Sequence, residues 1–336
     1  MTSASIAELN EQPPVRRRRL PGLDAIRGIA AFMIVILHLQ HIAGQYSPLH
    51  RGYVVVDMFF LLSGYVIART YEHEFARGYG PLQFARVRLK RLWPTMAIGA
   101  LIGMATFWSS QPVAASLFLL AMALAFLPIS ASDQATFPTN PPAWTIGLEI
   151  LANAAHVLVL QFLSVPVLLA VAVASAGALI AWAPDMGVGG DYADMGLGMA
   201  RMLFSYCIGM VVWRCNGDRE HLPGWLGLIV LPLVVLLLGA IPGWSRWYDF
   251  AIVFLLWPVL LVAGISNPPF LQRTLAWIGE ISFPLYAVHF PIAMMVTRAG
   301  YSVWLAVPLA LGTASVIAPL AAGRWKWPQL GKLLPA

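Results

Sequence analysis

Apolar runs close to the length of a bilayer crossing recur along the whole of this 336-residue chain, and they restrict its architecture before any motif is considered. A helical crossing needs ~20 predominantly apolar residues, because the bilayer core offers the backbone no water to bond with. Eleven candidate segments are centred near residues 34, 62, 101, 122, 155, 173, 206, 232, 256, 287 and 312. The stretches between them are too short for a separate soluble domain. With 59% hydrophobic and 11% charged residues and a mean hydropathy of +0.74, the chain falls outside the soluble globular range. The expectation is an all-α, polytopic integral membrane helical bundle with about ten transmembrane helices. Its transmembrane domain covers 21–322, between cytoplasmic tails at 1–20 and 323–336.

Charge sets the expected orientation. Arg16 to Arg19 precede the first run, and Arg86, Arg88, Lys90 and Arg91 lie between the second and third, so the positive-inside bias places both segments in the cytoplasm. The link around His50 then faces outward, as does the acidic link with Asp185, Asp191 and Asp194. Arg324, Lys326 and Lys332 follow the last run and also favour the cytoplasm, which requires an even number of crossings. One of the eleven segments is therefore re-entrant or partial. The polar stretch Trp144 to Leu163 is the first suspect, since polar or irregular segments survive at membrane depth only when buried in protein.

The net charge of +6 comes largely from these loops, so it points to no nucleic-acid partner. The first run is too long, and too far from the start, for a cleavable signal peptide, and is expected to stay as an anchor. Cys207 and Cys215 provide neither a disulfide framework nor a CxxC motif, and no metal site is expected.

Against this background, ionisable residues inside the runs are costly and mark a substrate path or reactive site. In the run from Leu23 to His38, Arg27 and His38 stand eleven residues apart. That is roughly three helical turns, so they share a face and sit ~16 Å apart along the axis. Arg27 reads either as a snorkelling anchor with Asp24 as partner or as a functional cation. His38 reads as a hydrogen-bonded packing residue, or as a base or acyl acceptor active near neutral pH. In the second run, Asp57 is open to pairing with an imidazole or arginine of the first span, or to a substrate, while Ser63-Gly64 reads as a packing surface.

Three further patterns carry polar groups at helical spacing. Arg88 and Arg91, at i and i+3, suit either ordinary positive-inside charge or bidentate capture of the phosphates of a nucleotide-like donor. Thr145, Glu149, Asn153 and His156 form one stripe that should face a cavity or another polar helix. Ser282, Tyr286 and His289 form another, in a segment whose prolines, Pro284 and Pro291, free backbone groups. His289 reads as a helix–helix hydrogen-bonding residue or as a second group of a reactive site.

In this order, Leu23-Asp24-Ala25-Ile26-Arg27 through His38, Asp57-Met58-Phe59-Phe60-Leu61-Leu62-Ser63-Gly64, Arg88-Leu89-Lys90-Arg91, Trp144 to Glu149 and Ile281 to Pro291 resemble the membrane acyltransferase-3 family. The resemblance runs from about residue 20 to 320. It implies an integral O-acyltransferase of a bacterial inner (cytoplasmic) membrane, with both termini cytoplasmic. The enzyme would move an acyl group, expected to be acetyl, from acyl-CoA to a sugar hydroxyl of a surface polysaccharide, lipopolysaccharide or lipid-linked glycan. By the same resemblance His38, Arg27 and Glu149 are catalytic, and Arg88 and Arg91 bind the donor. Asp57, Ser282, Tyr286 and His289 are substrate-binding or supporting candidates. No tightly bound cofactor is implied; acetyl-CoA or another acyl-CoA enters as a substrate.

Two departures from the family pattern bear on the acceptor: Val54-Val55-Val56 stands where many members have a glycine, and Ile150-Leu151-Ala152-Asn153 replaces a more aromatic run. Some members also carry an extracytoplasmic hydrolase-like domain, without which a second transfer step would need another protein. The alternatives from other classes are a proton-coupled secondary transporter or flippase, which the same intramembrane charges would serve, and a non-catalytic scaffold.

Overall fold

A computed structural model describes residues 18–45, 49–107, 112–130, 135–241 and 245–321. Arg16, Arg17, Arg324, Lys326 and Lys332, with most of both tails, lie outside the described residues. Each of the eleven apolar segments is a helix: α1 (Pro21–Ile42), α2 (Val56–Ala76), α3 (Pro81–Phe107), α4 (Val113–Leu124), α5 (Trp144–Leu158), α6 (Val165–Trp182), α7 (Met195–Asn216), α8 (Leu226–Ala240), α9 (Arg246–Ile265), α10 (Gln272–Arg298) and α11 (Ala306–Ala321). Six of them, α1, α2, α6, α7, α9 and α10, are long and apolar enough to cross a membrane by length and composition. Among the described residues, extended pairing is limited to one isolated bridge, Ala135 to Asp191.

Two parallel helix seams organise the bundle. Along the first, Arg27 of α1 meets Gly279 and Ser282 of α10, and His38 meets His289, so both helices run the same way from the end that carries Arg18, Arg19 and Lys90. We call this the basic end. Along the second, α2 and α7 approach so closely that a Cβ on Gly64 would collide with the Tyr206 carbonyl, and one on Gly209 with the Leu61 carbonyl. Apolar burial does not drive helices together in lipid, and small residues instead allow this close backbone contact.

Polar clasps close the second seam at both ends. Near the basic end, Arg69 pairs with Asp218 at 2.6 Å and Arg214 pairs with Glu72. Toward the far end, Arg201 of α7 pairs with Asp57 at 2.6 Å, each only 1% exposed. Asp57 thus finds its arginine on α7 and not on the first span. The parallel seam turns the Asp57 face of α2 onto α7, and Ser205 joins the same carboxylate at 3.4 Å.

Neither α4, of twelve residues, nor α5, of fifteen, is among the six helices long and apolar enough to cross, and α4 doubles back along α3. The Trp93 indole donates to the Leu124 carbonyl at 3.1 Å, so α4 runs back beside α3 toward the basic end. The described residues that follow, 125–130 and 135–143, form no α-helix, yet they bring the chain back up α3 until Thr139 lies against Gly103. Such a segment is tolerated at depth where other groups satisfy its polar atoms. Asn140 shows how: its amide donates to the Ala287 carbonyl at 2.9 Å. That carbonyl would ordinarily accept from residue 291, which is a proline without an N–H. From there α5 runs unbroken, from Trp144 beside Gly198 to His156, whose ring nitrogen is 3.0 Å from the Tyr206 hydroxyl.

Removing one partner of the Asp57–Arg201 pair strands a buried charge, at a cost of roughly 3–5 kcal/mol. Arg201→Ala should therefore lower the melting temperature of the detergent-purified protein sharply, and Asp57→Asn combined with Arg201→Met should recover most of the loss. Losses in the double variant equal to the sum of the two single ones would show that the pair is not coupled.

Candidate active site

A cavity of about 710 Å³ enters the bundle from the basic end between α1, α2, α3, α5 and α10. Arg27, Arg88, Arg91, Glu149, Ser282 and Tyr286, all expected site residues, line it. Because α10 runs along its length, the contacts made by α10 order the cavity from mouth to floor. Arg19 meets the Ala276 carbonyl at 3.4 Å, Arg27 meets Gly279 and Ser282, and Tyr286 meets Thr145; His289 and its partner His38 follow beyond Tyr286 and are not among the lining residues.

Arg27 is fixed on three sides. Its Nη2 donates to Asp24 at 2.9 Å and to the Gly279 carbonyl at 2.8 Å, while Nε donates to the Ser282 hydroxyl at 3.0 Å. Asp24 is the partner expected for Arg27, and the guanidinium it holds lines the cavity. Arg88 and Arg91 differ in their surroundings although they are neighbours on one helix face. Arg88 is buried and bonded through Nη2 to Glu149 at 2.6 Å, with the Ser63 hydroxyl donating to the same carboxylate oxygen at 3.3 Å. Among the described residues Arg91 has no carboxylate partner. Ser63, read as a packing residue, takes part in the ion-pair network instead.

The floor is aromatic and hydroxylated. Tyr286 and Thr145 hydroxyls are 2.9 Å apart, and the Phe59 ring lies 5.6 Å from that of Tyr286. One turn further along α10, His289 is buried and stacked on His38, with Nε2 of His289 2.8 Å from Nδ1 of His38. His289 Nδ1 faces the Tyr286 carbonyl at 2.8 Å and the Leu285 carbonyl at 3.2 Å. Carbonyl oxygens only accept, so Nδ1 carries the proton of a neutral His289 ring and Nε2 offers a lone pair. His38 Nδ1–H then donates to it. The remaining nitrogen, Nε2 of the partly exposed His38, is left with a free lone pair.

The polar stripe of α5 divides. Thr145 and Glu149 line the cavity, whereas His156 binds Tyr206 and Asn153 is buried in the protein. Asp57 does not reach the cavity and belongs to the clasp with Arg201. Arg201 stands outside the motifs singled out above, although an arginine within the apolar run of α7 carries the same signal as Arg27 within α1. Asn140 carried no such signal, since its partner is a carbonyl freed by a proline about 150 residues away.

The acyltransferase domain model of the acyltransferase-3 family matches residues 20–324. The peptidoglycan O-acetyltransferase OatA of Listeria monocytogenes is 24% identical over 320 residues, 84% of this chain and 50% of that protein. Protein 2 in picA locus of Rhizobium radiobacter is 31% identical over 168 residues, 44% of this chain and 84% of the relative. An O-acetyltransferase OatA of Staphylococcus aureus is 41% identical over 81 residues, 24% of this chain and 13% of the relative. The chain thus spans about half the length of the Listeria protein. No solved structure matches it. The family match begins at Leu20, just before α1, and extends past the end of α11, and on it this chain belongs to the acyltransferase-3 family as an integral membrane O-acyltransferase.

Proposed function

We propose that the cavity receives an acyl-CoA, in the simplest case acetyl-CoA, from the cytoplasm, and that His38 acts as the general base for transfer of the acyl group to a hydroxyl of a cell-envelope glycan. The observation that carries this reading is the order of groups along α10. Arginines near the mouth, among them Arg91 with no carboxylate partner among the described residues, give way to Arg27, then to the Tyr286 and Thr145 hydroxyls, and beyond these to a histidine with a free lone pair. A phosphate-bearing donor with a long arm and a reactive far end has the same polarity. Bidentate capture suits Arg91, while Arg88, locked to Glu149, holds α3 and α5 together so that Arg91 is presented to the cavity.

In the transfer, His38 Nε2 takes the proton of the acceptor hydroxyl as the oxygen attacks the thioester carbonyl. The carbon–sulfur bond then breaks, and the departing thiolate recovers that proton from His38 to leave as CoA. While His38 is charged, its Nδ1–H bond to His289 spreads the charge and keeps the ring from turning, much as a carboxylate does in a hydrolase triad. Arg27 supplies positive charge beside the donor.

The basic end is read as cytoplasmic and the membrane as the bacterial inner membrane, with both termini in the cytoplasm, since Arg18, Arg19, Arg86 and Lys90 lie there. The acceptor would then approach from the far side. The name of the Listeria relative assigns it peptidoglycan; for this chain the class is a sugar hydroxyl of a surface polysaccharide, lipopolysaccharide or lipid-linked glycan.

The test is CoA release and acyl transfer by the purified protein in nanodiscs. His38→Ala should reduce the rate ~10²- to 10⁴-fold, the range of general acid–base catalysis. His289→Ala should lower kcat by about 10²-fold, because the His38 ring loses its orienting partner, with little effect on donor KM. Undiminished transfer in His38→Ala would reject the assignment. For the ion pair, Arg88→Gln and Glu149→Gln should each lower thermal stability, with a coupling of ~0.5–3 kcal/mol in the double-mutant cycle. Additive losses would show that Arg88 is free to bind donor.

A further inference from the structure

One charge in the transfer described above still lacks a partner. As the acceptor oxygen attacks, the thioester carbonyl oxygen turns negative, and acyl transfer needs a hydrogen-bond donor aimed at it. Arg27 stands eleven residues before His38 on α1, ~16 Å away along the helix, so it reaches the donor's arm and not a carbonyl beside His38. Ser282 is committed elsewhere. Its hydroxyl donates to the Gly279 carbonyl at 2.7 Å and accepts from Arg27.

Among the lining residues, Tyr286 comes one turn before His289 on α10, with the two rings 5.7 Å apart. The His289 ring in turn stacks on His38 at 5.1 Å. Since neither histidine lines the cavity, a thioester brought to His38 from the basic end passes Tyr286 on the way.

The Tyr286 hydroxyl is bonded in a way that lets its proton change direction. It lies 2.9 Å from the Thr145 hydroxyl and 3.2 Å from the Pro142 carbonyl, which the Thr145 hydroxyl also faces at 3.1 Å. Two protons serve these three contacts. With Thr145 donating to Pro142, Tyr286 donates to Thr145; with Thr145 donating to Tyr286, the tyrosine O–H is released to a new acceptor while its oxygen stays bonded. The second arrangement also makes the tyrosine a stronger donor, because a hydroxyl that accepts a hydrogen bond is polarised by it. Meanwhile the backbone of this turn is held. Asn140, on the same non-helical return as Pro142, donates to the carbonyl of Ala287, the residue after Tyr286.

Building on the acyl-CoA reading, we propose that Tyr286 is a catalytic residue whose hydroxyl donates to the thioester carbonyl oxygen as negative charge gathers there, with Thr145 as the positioning residue that turns and polarises it. The tyrosine keeps its proton throughout. The acceptor oxygen forms its bond to the carbonyl carbon, the charge collects on the carbonyl oxygen under the Tyr286 O–H, and re-forming the C=O bond expels the sulfur, which takes its proton from His38.

The experiment follows CoA release and acyl transfer from acetyl-CoA by wild type, Tyr286→Phe, Thr145→Val and Thr145→Ser in nanodiscs, with peptidoglycan fragments and lipopolysaccharide sugars as acceptors. Binding of ethyl-CoA, which has no thioester carbonyl, is measured on the same samples by calorimetry. Tyr286→Phe should lower kcat by ~10²- to 10³-fold, the effect of removing one such donor, while the KM for acetyl-CoA and the affinity for ethyl-CoA stay close to wild type. Thr145→Val should lower kcat by about tenfold, the worth of one polarising hydrogen bond, and Thr145→Ser, which keeps the hydroxyl, should restore it. If Tyr286→Phe does not fold, Thr145→Val against Thr145→Ser carries the same test. Undiminished kcat in Tyr286→Phe, with wild type active, would overturn the role of Tyr286 alone, as would a loss of kcat matched by an equal loss of ethyl-CoA affinity, or Thr145→Ser as impaired as Thr145→Val. Failure of wild type to bind ethyl-CoA or to release CoA from acetyl-CoA would overturn the acyl-CoA reading, and the role of Tyr286 with it.

Discussion

The hydrogen bond between His38 and His289, and the parallel packing of α1 along α10 that creates it, is the contact on which the rest of the site depends. Ionisable side chains at membrane depth have no water to turn to and must be satisfied by protein. The seam satisfies several at once: Arg27 on Gly279 and Ser282, His38 on His289, and His289 on the Tyr286 carbonyl. One constraint therefore fixes both the depth of His38 Nε2 and the tautomer that exposes its lone pair. A sliding of α1 by a single turn would separate the Arg27 and His38 pairs, which cross from α1 to α10.

The remaining helices keep that seam open on one side and sealed on the other. The α2–α7 seam, clasped by Asp57–Arg201 and by Arg69–Asp218, supports α2 as a rigid wall. The Arg88–Glu149 pair ties α3 to α5 across the cavity. At the floor, Pro291 gives up a backbone bond and Asn140, from the non-helical return after α4, replaces it. Pro291 thus joins the irregular segment to α10. The bundle accepts an unwound stretch at depth because that stretch serves a carbonyl that no helix could.

Much of this was legible in the sequence because burying charge is expensive. Arg27, His38, Glu149 and His289 stand out against apolar runs, and helical spacing assigns Ser282, Tyr286 and His289 to one face. Spacing within a helix does not say which helix that face will meet. For that reason Asp57 is open on sequence to a partner on the first span although its arginine lies on α7, and Ser63 reads as packing although it bonds Glu149. Arg88 and Arg91 look equivalent at i and i+3, yet only Arg88 meets a carboxylate, a difference set by α5. The return after α4 was hidden for a different reason. Hydropathy marks apolar segments but does not report that twelve residues of α4 run down and a non-helical stretch runs back.

The central claim is that a donor entering from the basic end presents its acyl group to His38 Nε2. It is tested most directly by cryo-electron microscopy of the protein in nanodiscs with ethyl-CoA, a thioether that cannot transfer its chain. The account predicts phosphate density beside Arg91 and the mouth cations, an arm following α10 past Ser282 and Tyr286, and the thioether sulfur in contact with the His38 ring. Density placing the phosphates elsewhere, or an arm that ends away from His38 with the cavity empty, would contradict it.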